Sequence, residues 1–154
     1  MAKGTPNPPP GACAYTVEHR VAFHETDAMG VVYHANYLRH FETARIAWMD
    51  AHHRPYHEYV AAGRHWATTH AELDYHQAAR FDDRIRITAW PEWVRGASLR
   101  MGYRLVRADG TLLVSGATEH ALVDLDGRVR RLDRGDREAL RATLGETVPK
   151  RPAG

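Results

Sequence analysis

One apolar stripe at helical spacing constrains the fold of this chain more than any other feature. Its members are spaced four, three, four and three residues apart, which places them on one face of an α-helix: Tyr37, Phe41, Ala44, Trp48 and Ala51. Pro55 ends this helix, because the residues before a proline are pushed towards extended geometry. No other long apolar helix is predicted, so strands have to cover this face.

Strands are predicted on both sides of the helix, since apolar and polar residues alternate there. Before the helix, the buried face of a first strand is expected to carry Tyr15, Val17, Val21 and Phe23. After it, four longer stretches alternate in the same way, within residues 65–75, 84–89, 99–105 and 112–124. The dipeptide Asp109-Gly110 predicts a tight hairpin between the last two strands.

The end of the chain adds a turn and a short helix to this order. Asp126-Gly127 predicts a turn before Val129, and residues 133–144 are a short, highly charged helix candidate that Gly145 would stop. The complete order predicts an α+β fold in which one antiparallel β-sheet wraps one long central helix. A single domain is expected over residues 14–145, with a disordered, proline-rich tail over 1–13 and a C-terminal tail over 146–154.

Composition argues against several kinds of partner. The net charge of +2 is too small to indicate nucleic-acid binding, and no apolar run approaches the roughly 18 residues of a membrane-inserted helix. Lys3 and Lys150 are the only lysines, so the positive charge is mostly arginine, which suits an anionic ligand. Cys13 is the only cysteine and permits no internal disulfide, so a cytoplasmic location is expected.

A turn at residues 27–30 separates the first strand from the long helix. Asp27 lies seven residues ahead of His34, which is expected at the helix N-terminus. Free backbone N–H groups and the positive end of the helix dipole can hold a developing oxyanion there. Gly30 leaves room for a ligand or another backbone to come close. A carboxylate beside oxyanion donors is the minimum equipment for hydrolysing an activated acyl group.

The residues from Thr26 to Leu38, with Phe41-Glu42 and Ala44-Arg45 after them, carry a family motif. The pattern is an aspartate, a glycine three residues later, an aromatic-rich pair and an Asn-Tyr that opens the helix. By this motif the chain resembles the 4-hydroxybenzoyl-CoA thioesterase-like family of the hotdog fold, and within it the acyl-CoA thioesterases of bacterial Tol–Pal gene clusters. The likeness continues more weakly through Tyr75–Ala79 and spans roughly residues 15–133.

The resemblance implies hydrolysis of an acyl-CoA thioester to a carboxylic acid and free coenzyme A, without a cofactor. It gives Asp27 the position of the catalytic carboxylate. It gives His34, a histidine also in the Tol–Pal-type members, the position whose backbone N–H polarises the thioester carbonyl. Substrate contacts are expected at Gly30, Val32, Tyr33 and Asn36. Family members are homodimers or homotetramers with the site at a subunit interface, and the same assembly is expected here.

Other functions stay open at this level. An acyl-carrier-protein thioesterase and a non-catalytic acyl-CoA-binding dimer would share these features, and fold alone does not exclude a hotdog dehydratase. The residues do not decide whether Asp27 is a general base or a nucleophile that forms a mixed anhydride. Asp27 could also be an Asx-turn or helix-capping aspartate.

Rival site residues are weaker candidates. Glu42 is a carboxylate on the helix, but an i,i+3 ion pair with Arg45 is the simpler expectation. No metal site is predicted, because Pro55 separates His53 from His57 and the chain has neither an HExxH motif nor a cysteine pair. Serine catalysis is not expected either, since no serine stands in a G-x-S-x-G motif.

Overall fold

Five antiparallel strands form one sheet, and the longest helix packs against it. The computed structural model describes residues 6–145, so residues 1–5 and 146–154 of the two expected tails lie outside the described residues. The strands, in the order β1-β3-β4-β5-β2 across the sheet, are β1 (Tyr15–Arg20), β2 (His65–Tyr75), β3 (Arg84–Val94), β4 (Ser98–Arg107) and β5 (Leu112–Val123). The helices are α1 (Asn36–His52), α2 (Tyr56–Ala61) and α3 (Arg134–Ala142), with a 3₁₀ turn at Phe23–Glu25.

The apolar face of α1 lies against the sheet, as predicted. The Phe41 ring stacks on Tyr103 of β4, with ring centroids 4.3 Å apart and planes 5° from parallel. Four members of the predicted stripe are buried, but Ala51 is exposed. Arg45 and Met49 are buried instead, so the buried face is wider than the predicted stripe and turns away from Ala51 in the last turn.

The first strand is shorter and more exposed than its alternation predicted. β1 pairs only with β3 at the sheet edge, and Tyr15 keeps 39% of its surface exposed. The chain leaves the sheet after Arg20, so Val21 is buried while Phe23 lies in the 3₁₀ turn, 76% exposed. The prediction that Phe23 continues the buried strand face was therefore wrong.

Cys13, the last residue of the expected N-terminal tail, is hydrogen-bonded to the rest of the domain. The Cys13 backbone N–H donates to the Thr143 carbonyl at 3.0 Å, and the Trp48 indole N–H donates to the Cys13 carbonyl at 2.9 Å. These hydrogen bonds connect Cys13 to Trp48 of α1 and to Thr143, the residue after α3.

Both predicted turns and the last helix are confirmed. Gly110 and Gly127 have φ of 89° and 78°, in the left-handed region that glycine adopts without strain. At the start of α3, the Asp133 carboxylate accepts the Asp136 N–H at 2.7 Å as an N-cap. The six-residue helix α2 was not predicted. No helix among residues 6–145 is long and apolar enough to cross a membrane.

Candidate active site

The turn between β1 and α1 holds Asp27 in a defined orientation. Its backbone carbonyl accepts the Gly30 N–H at 2.9 Å, and its Oδ1 accepts the Met29 N–H at 2.8 Å. This second bond is an Asx-turn contact, so the structural role considered for Asp27 is present. The other carboxylate oxygen, Oδ2, has no hydrogen-bond partner within residues 6–145. The turn thus positions one oxygen of Asp27 and leaves the other available.

Gly30 closes this turn with φ of 76°. A left-handed backbone of this kind favours glycine, since a Cβ would crowd the following carbonyl. A Cβ on Gly30 would approach only Arg80 Nη1, at 4.0 Å, so backbone conformation rather than space accounts for the glycine.

Two backbone N–H groups at the start of α1 are free. Those of His34 and Ala35 donate to no acceptor in the part of the chain that the structure describes. A helix start leaves such N–H groups unpaired, and they carry partial positive charge.

The peptide groups that carry these two donors are both held through their carbonyls. The Tyr33 carbonyl, which shares a peptide group with the His34 N–H, accepts the Asn36 N–H at 2.9 Å. The His34 carbonyl, which shares a peptide group with the Ala35 N–H, accepts the Tyr75 hydroxyl at 3.0 Å. Both donors are therefore preorganised, which is what an oxyanion site requires.

The backbone carbonyl of Glu25 stabilises the start of α1. This carbonyl accepts the Tyr33 N–H and the Asn36 side-chain amide, both at 2.9 Å. On the other side, the Val32 N–H donates to the Ala79 carbonyl at 2.8 Å, which joins the turn to the loop after β2. The 3₁₀ turn, the start of α1 and the loop after β2 thereby meet.

A cavity of about 300 Å³ opens where these segments meet. Its lining comes from the turn, the start of α1 and the end of β2 with the loop that follows: Asp27, Met29, Val31, Val32, His34, Tyr37, Tyr75, His76, Gln77 and Ala78. Another cavity, of about 210 Å³, lies along β1 and β3 and contains none of the turn residues. We take the first as the candidate site because it is lined both by Asp27 and by His34, one of the two residues with a free N–H.

The predicted site residues divide into two groups. Asp27, His34 and Val32 line the cavity together. Gly30, Tyr33 and Asn36 are not among its lining residues in the single chain. Gly30 shapes the turn, the Asn36 side chain holds the Glu25 carbonyl, and the Tyr33 ring lies against the His34 ring with centroids 4.3 Å apart.

Several lining residues were not predicted as site residues. Tyr75 is the last residue of β2 and His76 follows it, in a stretch that only the weaker part of the family likeness includes. The His76 ring nitrogen Nε2 lies 2.9 Å from Ser115 Oγ, which fixes the ring. The Tyr37 hydroxyl accepts the Ala79 N–H at 3.1 Å, and burial raises the pKa of Tyr37, so its hydroxyl stays protonated at neutral pH.

Two other sequence expectations concern charged side chains. The predicted ion pair between Glu42 and Arg45 is absent from the described residues: Arg45 is buried and donates to the Tyr103 hydroxyl at 3.3 Å, while Glu42 is exposed. Burial of Arg45 against the sheet draws its guanidinium away from the exposed side of α1. His53 Nε2 lies 2.6 Å from the Tyr59 hydroxyl, and His57 is exposed elsewhere on α2.

Known proteins resemble this chain in sequence and in fold. The family model described as the thioesterase-like superfamily matches residues 21–152. The acyl-CoA thioester hydrolase YbgC of Escherichia coli is 36% identical over 94 residues, which cover 61% of this chain and 70% of that protein. The acyl-CoA thioesterase YbgC of Haemophilus influenzae is 35% identical over 108 residues, covering 69% and 78%.

Solved structures agree with the sequence comparison. The DHNA-CoA thioesterase of Staphylococcus aureus superposes with a TM-score of 0.79 at 25% identity, covering 84% of this chain and 87% of that one. The expected arrangement of one antiparallel sheet around a central helix, the hotdog fold, is confirmed by the strand order and by this likeness.

Proposed function

The chain belongs to the thioesterase-like superfamily, and from this premise we propose that it hydrolyses acyl-CoA thioesters with Asp27 as the catalytic carboxylate. One observation carries the proposal: the free oxygen of Asp27 and the free N–H of His34 belong to residues that line one cavity. A carboxylate and a preorganised oxyanion donor are what thioester hydrolysis needs from a protein.

In this proposal the thioester carbonyl oxygen accepts the His34 N–H, with the Ala35 N–H beside it. Charge that develops on this oxygen in the transition state is stabilised by donors already in place. Asp27 either removes a proton from the attacking water or attacks the carbonyl carbon itself to give a mixed anhydride that water opens. On both routes the carbon–sulfur bond breaks, the acyl carbon gains the water oxygen, and the thiolate takes a proton to leave as coenzyme A.

The test is the substitution Asp27→Asn. An asparagine keeps an oxygen that can accept the Met29 N–H, so the turn is preserved while the base or nucleophile is removed. We expect release of free thiol from acyl-CoA to fall by about 10²–10⁴-fold, the usual contribution of such a group. Turnover within a few-fold of wild type would refute the assignment.

Asp109→Asn is the matched control. Asp109 makes the same kind of contact, with its Oδ1 accepting the Thr111 N–H at 2.9 Å in the β4–β5 hairpin. The substitution therefore removes a carboxylate that makes the same kind of backbone contact outside the cavity, and turnover should be unchanged. A loss confined to Asp27→Asn then reports chemistry rather than turn stability.

The carrier is tested by comparing thioesters that differ only in their thiol. With the same acyl group on coenzyme A and on an acyl carrier protein, a higher kcat/KM for the coenzyme A thioester supports the proposal. The opposite preference favours the carrier-protein enzyme. Binding of acyl-CoA without any hydrolysis would instead identify a non-catalytic binding protein.

We also propose that the working form is a homodimer joined through β2. This 11-residue strand is at the sheet edge, and residues 68–72 on it are exposed. A long, uncovered edge strand is a template for pairing with a second chain. Tyr75 at the end of β2 lines the cavity, so a partner at this edge would add to the site. Light scattering in solution should give the mass of at least two chains, and a monomeric mass would contradict this.

The cytoplasmic location stays a prediction.

A further inference from the structure

Three side chains with metal-binding atoms meet at the 3₁₀ turn that precedes Asp27. They come from three elements: His19 from β1, Glu25 from the 3₁₀ turn and His40 from α1. Their ligand atoms all lie within 4.8 Å of one another. His19 Nε2 is 2.7 Å from Glu25 Oε2, and His40 Nε2 is 2.9 Å from Glu25 Oε1.

The His40 side chain is 92% buried, with 8% exposed, and its Nε2 atom has no satisfactory partner. Although Nε2 is close to Glu25 Oε1, their angle does not meet hydrogen-bond geometry, so this nitrogen is unpaired among the described residues. A buried polar atom without a partner costs free energy and requires an explanation. A cation between the two atoms would satisfy both of them.

We propose that His19, Glu25 and His40 bind one Zn²⁺ ion. Two imidazoles and one carboxylate are an established ligand set for zinc, with Zn–N distances of about 2.0–2.1 Å and a further position for water. Ligand atoms around a tetrahedral zinc ion are then roughly 3.4 Å apart, which these three side chains reach with small movements. The His19 side chain is 37% exposed, so the ion has a path from solvent and room for a water ligand.

The donor atoms of the three groups suit a divalent cation. They are two imidazole nitrogens and the oxygens of one carboxylate, drawn together from three elements. Imidazole in its neutral form and carboxylate in its ionised form are the ligands that bind metal.

The ion would act on structure rather than on the reaction. None of its three ligands lines the cavity that contains Asp27. The Glu25 carbonyl, however, holds the Tyr33 N–H and the Asn36 amide at the start of α1. A metal bound to the Glu25 side chain would therefore stabilise the start of α1, next to the His34 N–H.

The experiment measures Zn²⁺ binding directly, with tag-free protein that has been treated with a chelator. We expect equilibrium dialysis to give one Zn²⁺ per chain, and Zn²⁺ to raise Tm in a saturable way because it binds the folded state. The test variant is His19→Gln, whose amide can still donate to Glu25 and so preserve the fold. Because His19 is proposed to be a direct ligand, the Zn²⁺ affinity of His19→Gln should fall further than the roughly 10–100-fold lost when a residue that only orients a ligand is removed.

His24→Gln is the matched control. His24 is exposed and adjacent to Glu25 in the same 3₁₀ turn, yet it does not belong to the cluster. This variant should bind Zn²⁺ as wild type does. Absence of stoichiometric binding in the wild-type protein, or equal affinity in His19→Gln and wild type, overturns the proposal. Because no readout uses thioester hydrolysis, the result is independent of the proposed enzymatic function.

Discussion

The Tyr75 hydroxyl donates a hydrogen bond of 3.0 Å to the backbone carbonyl of His34. The two residues are 41 positions apart, at the end of β2 and just before α1. Since the His34 carbonyl and the Ala35 N–H belong to one planar peptide group, Tyr75 sets the direction of that N–H. Donation to the carbonyl also polarises the peptide group and makes the N–H a stronger donor.

Tyr75→Phe should therefore slow turnover while leaving the fold intact. A hydrogen bond of this kind contributes about 1 kcal/mol net, so we expect kcat to fall by roughly fivefold. Tyr15→Phe is the control, because Tyr15 is also partly exposed on an edge strand but lies outside the cavity. Equal kcat values for Tyr75→Phe and wild type would show that the start of α1 is oriented without this bond.

His34→Ala tests the contribution of the His34 side chain separately from that of its backbone N–H. The substitution keeps the N–H that is proposed to bind the thioester oxygen and removes only the imidazole. We expect its kcat to fall less than that of Asp27→Asn, because the oxyanion donor remains. Steady-state kinetics of the two variants make the comparison, and a loss in His34→Ala as large as in Asp27→Asn would instead assign proton transfer to the imidazole.

Gly30→Ala should impair both stability and activity. At φ of 76° an alanine is strained by about 1–2 kcal/mol, and relief of that strain would move the Asp27 turn. Gly110→Ala is an informative control, since Gly110 has φ of 89° and a Cβ added there would meet no described atom within 4 Å. Both variants should show a similar fall in Tm, while only Gly30→Ala loses turnover.

His120 makes stability depend on pH. It is fully buried, with Nε2 lying 2.7 Å from Thr118 Oγ1, and burial together with nearby Arg45 lowers its pKa to about 3. In the unfolded chain its pKa is about 6.5, so between these values the unfolded state binds more protons. This contribution to stability is complete above pH 6.5 and is lost as pH falls towards 3.

The free energy of unfolding should therefore fall by up to about 1.4 kcal/mol per pH unit below pH 6.5 from this residue alone. Denaturant unfolding of wild type and His120→Gln, measured between pH 7 and pH 5 (about 1.5 units of the window), gives the comparison. The free energy of unfolding should depend less steeply on pH in His120→Gln than in wild type. His57→Gln, which changes an exposed histidine, should show the same pH dependence as wild type. Parallel curves for His120→Gln and wild type would contradict the assignment.

Local patterns predicted most of the fold. The long helix α1, the strands β2 to β5 and the turns at Gly110 and Gly127 depend on residues close in sequence, and these elements are confirmed. The failures came where tertiary packing overrode the pattern. Phe23 fits the alternation of β1, but the chain turns away after Arg20, and Ala51 fits the stripe although the sheet no longer covers it.

The sequence by itself determined the five strands, the helices α1 and α3, the Asp27 turn and the helix start beside it, because periodicity, turn chemistry and the family motif all act over short stretches. Only the tertiary structure decided what surrounds them: Tyr75 on the His34 carbonyl, His76 and Gln77 in the cavity, and His19 beside Glu25 and His40. These groups come from segments whose meeting depends on strand order and on packing against α1. No local pattern carries that information, since it arises from the free energy of the whole core.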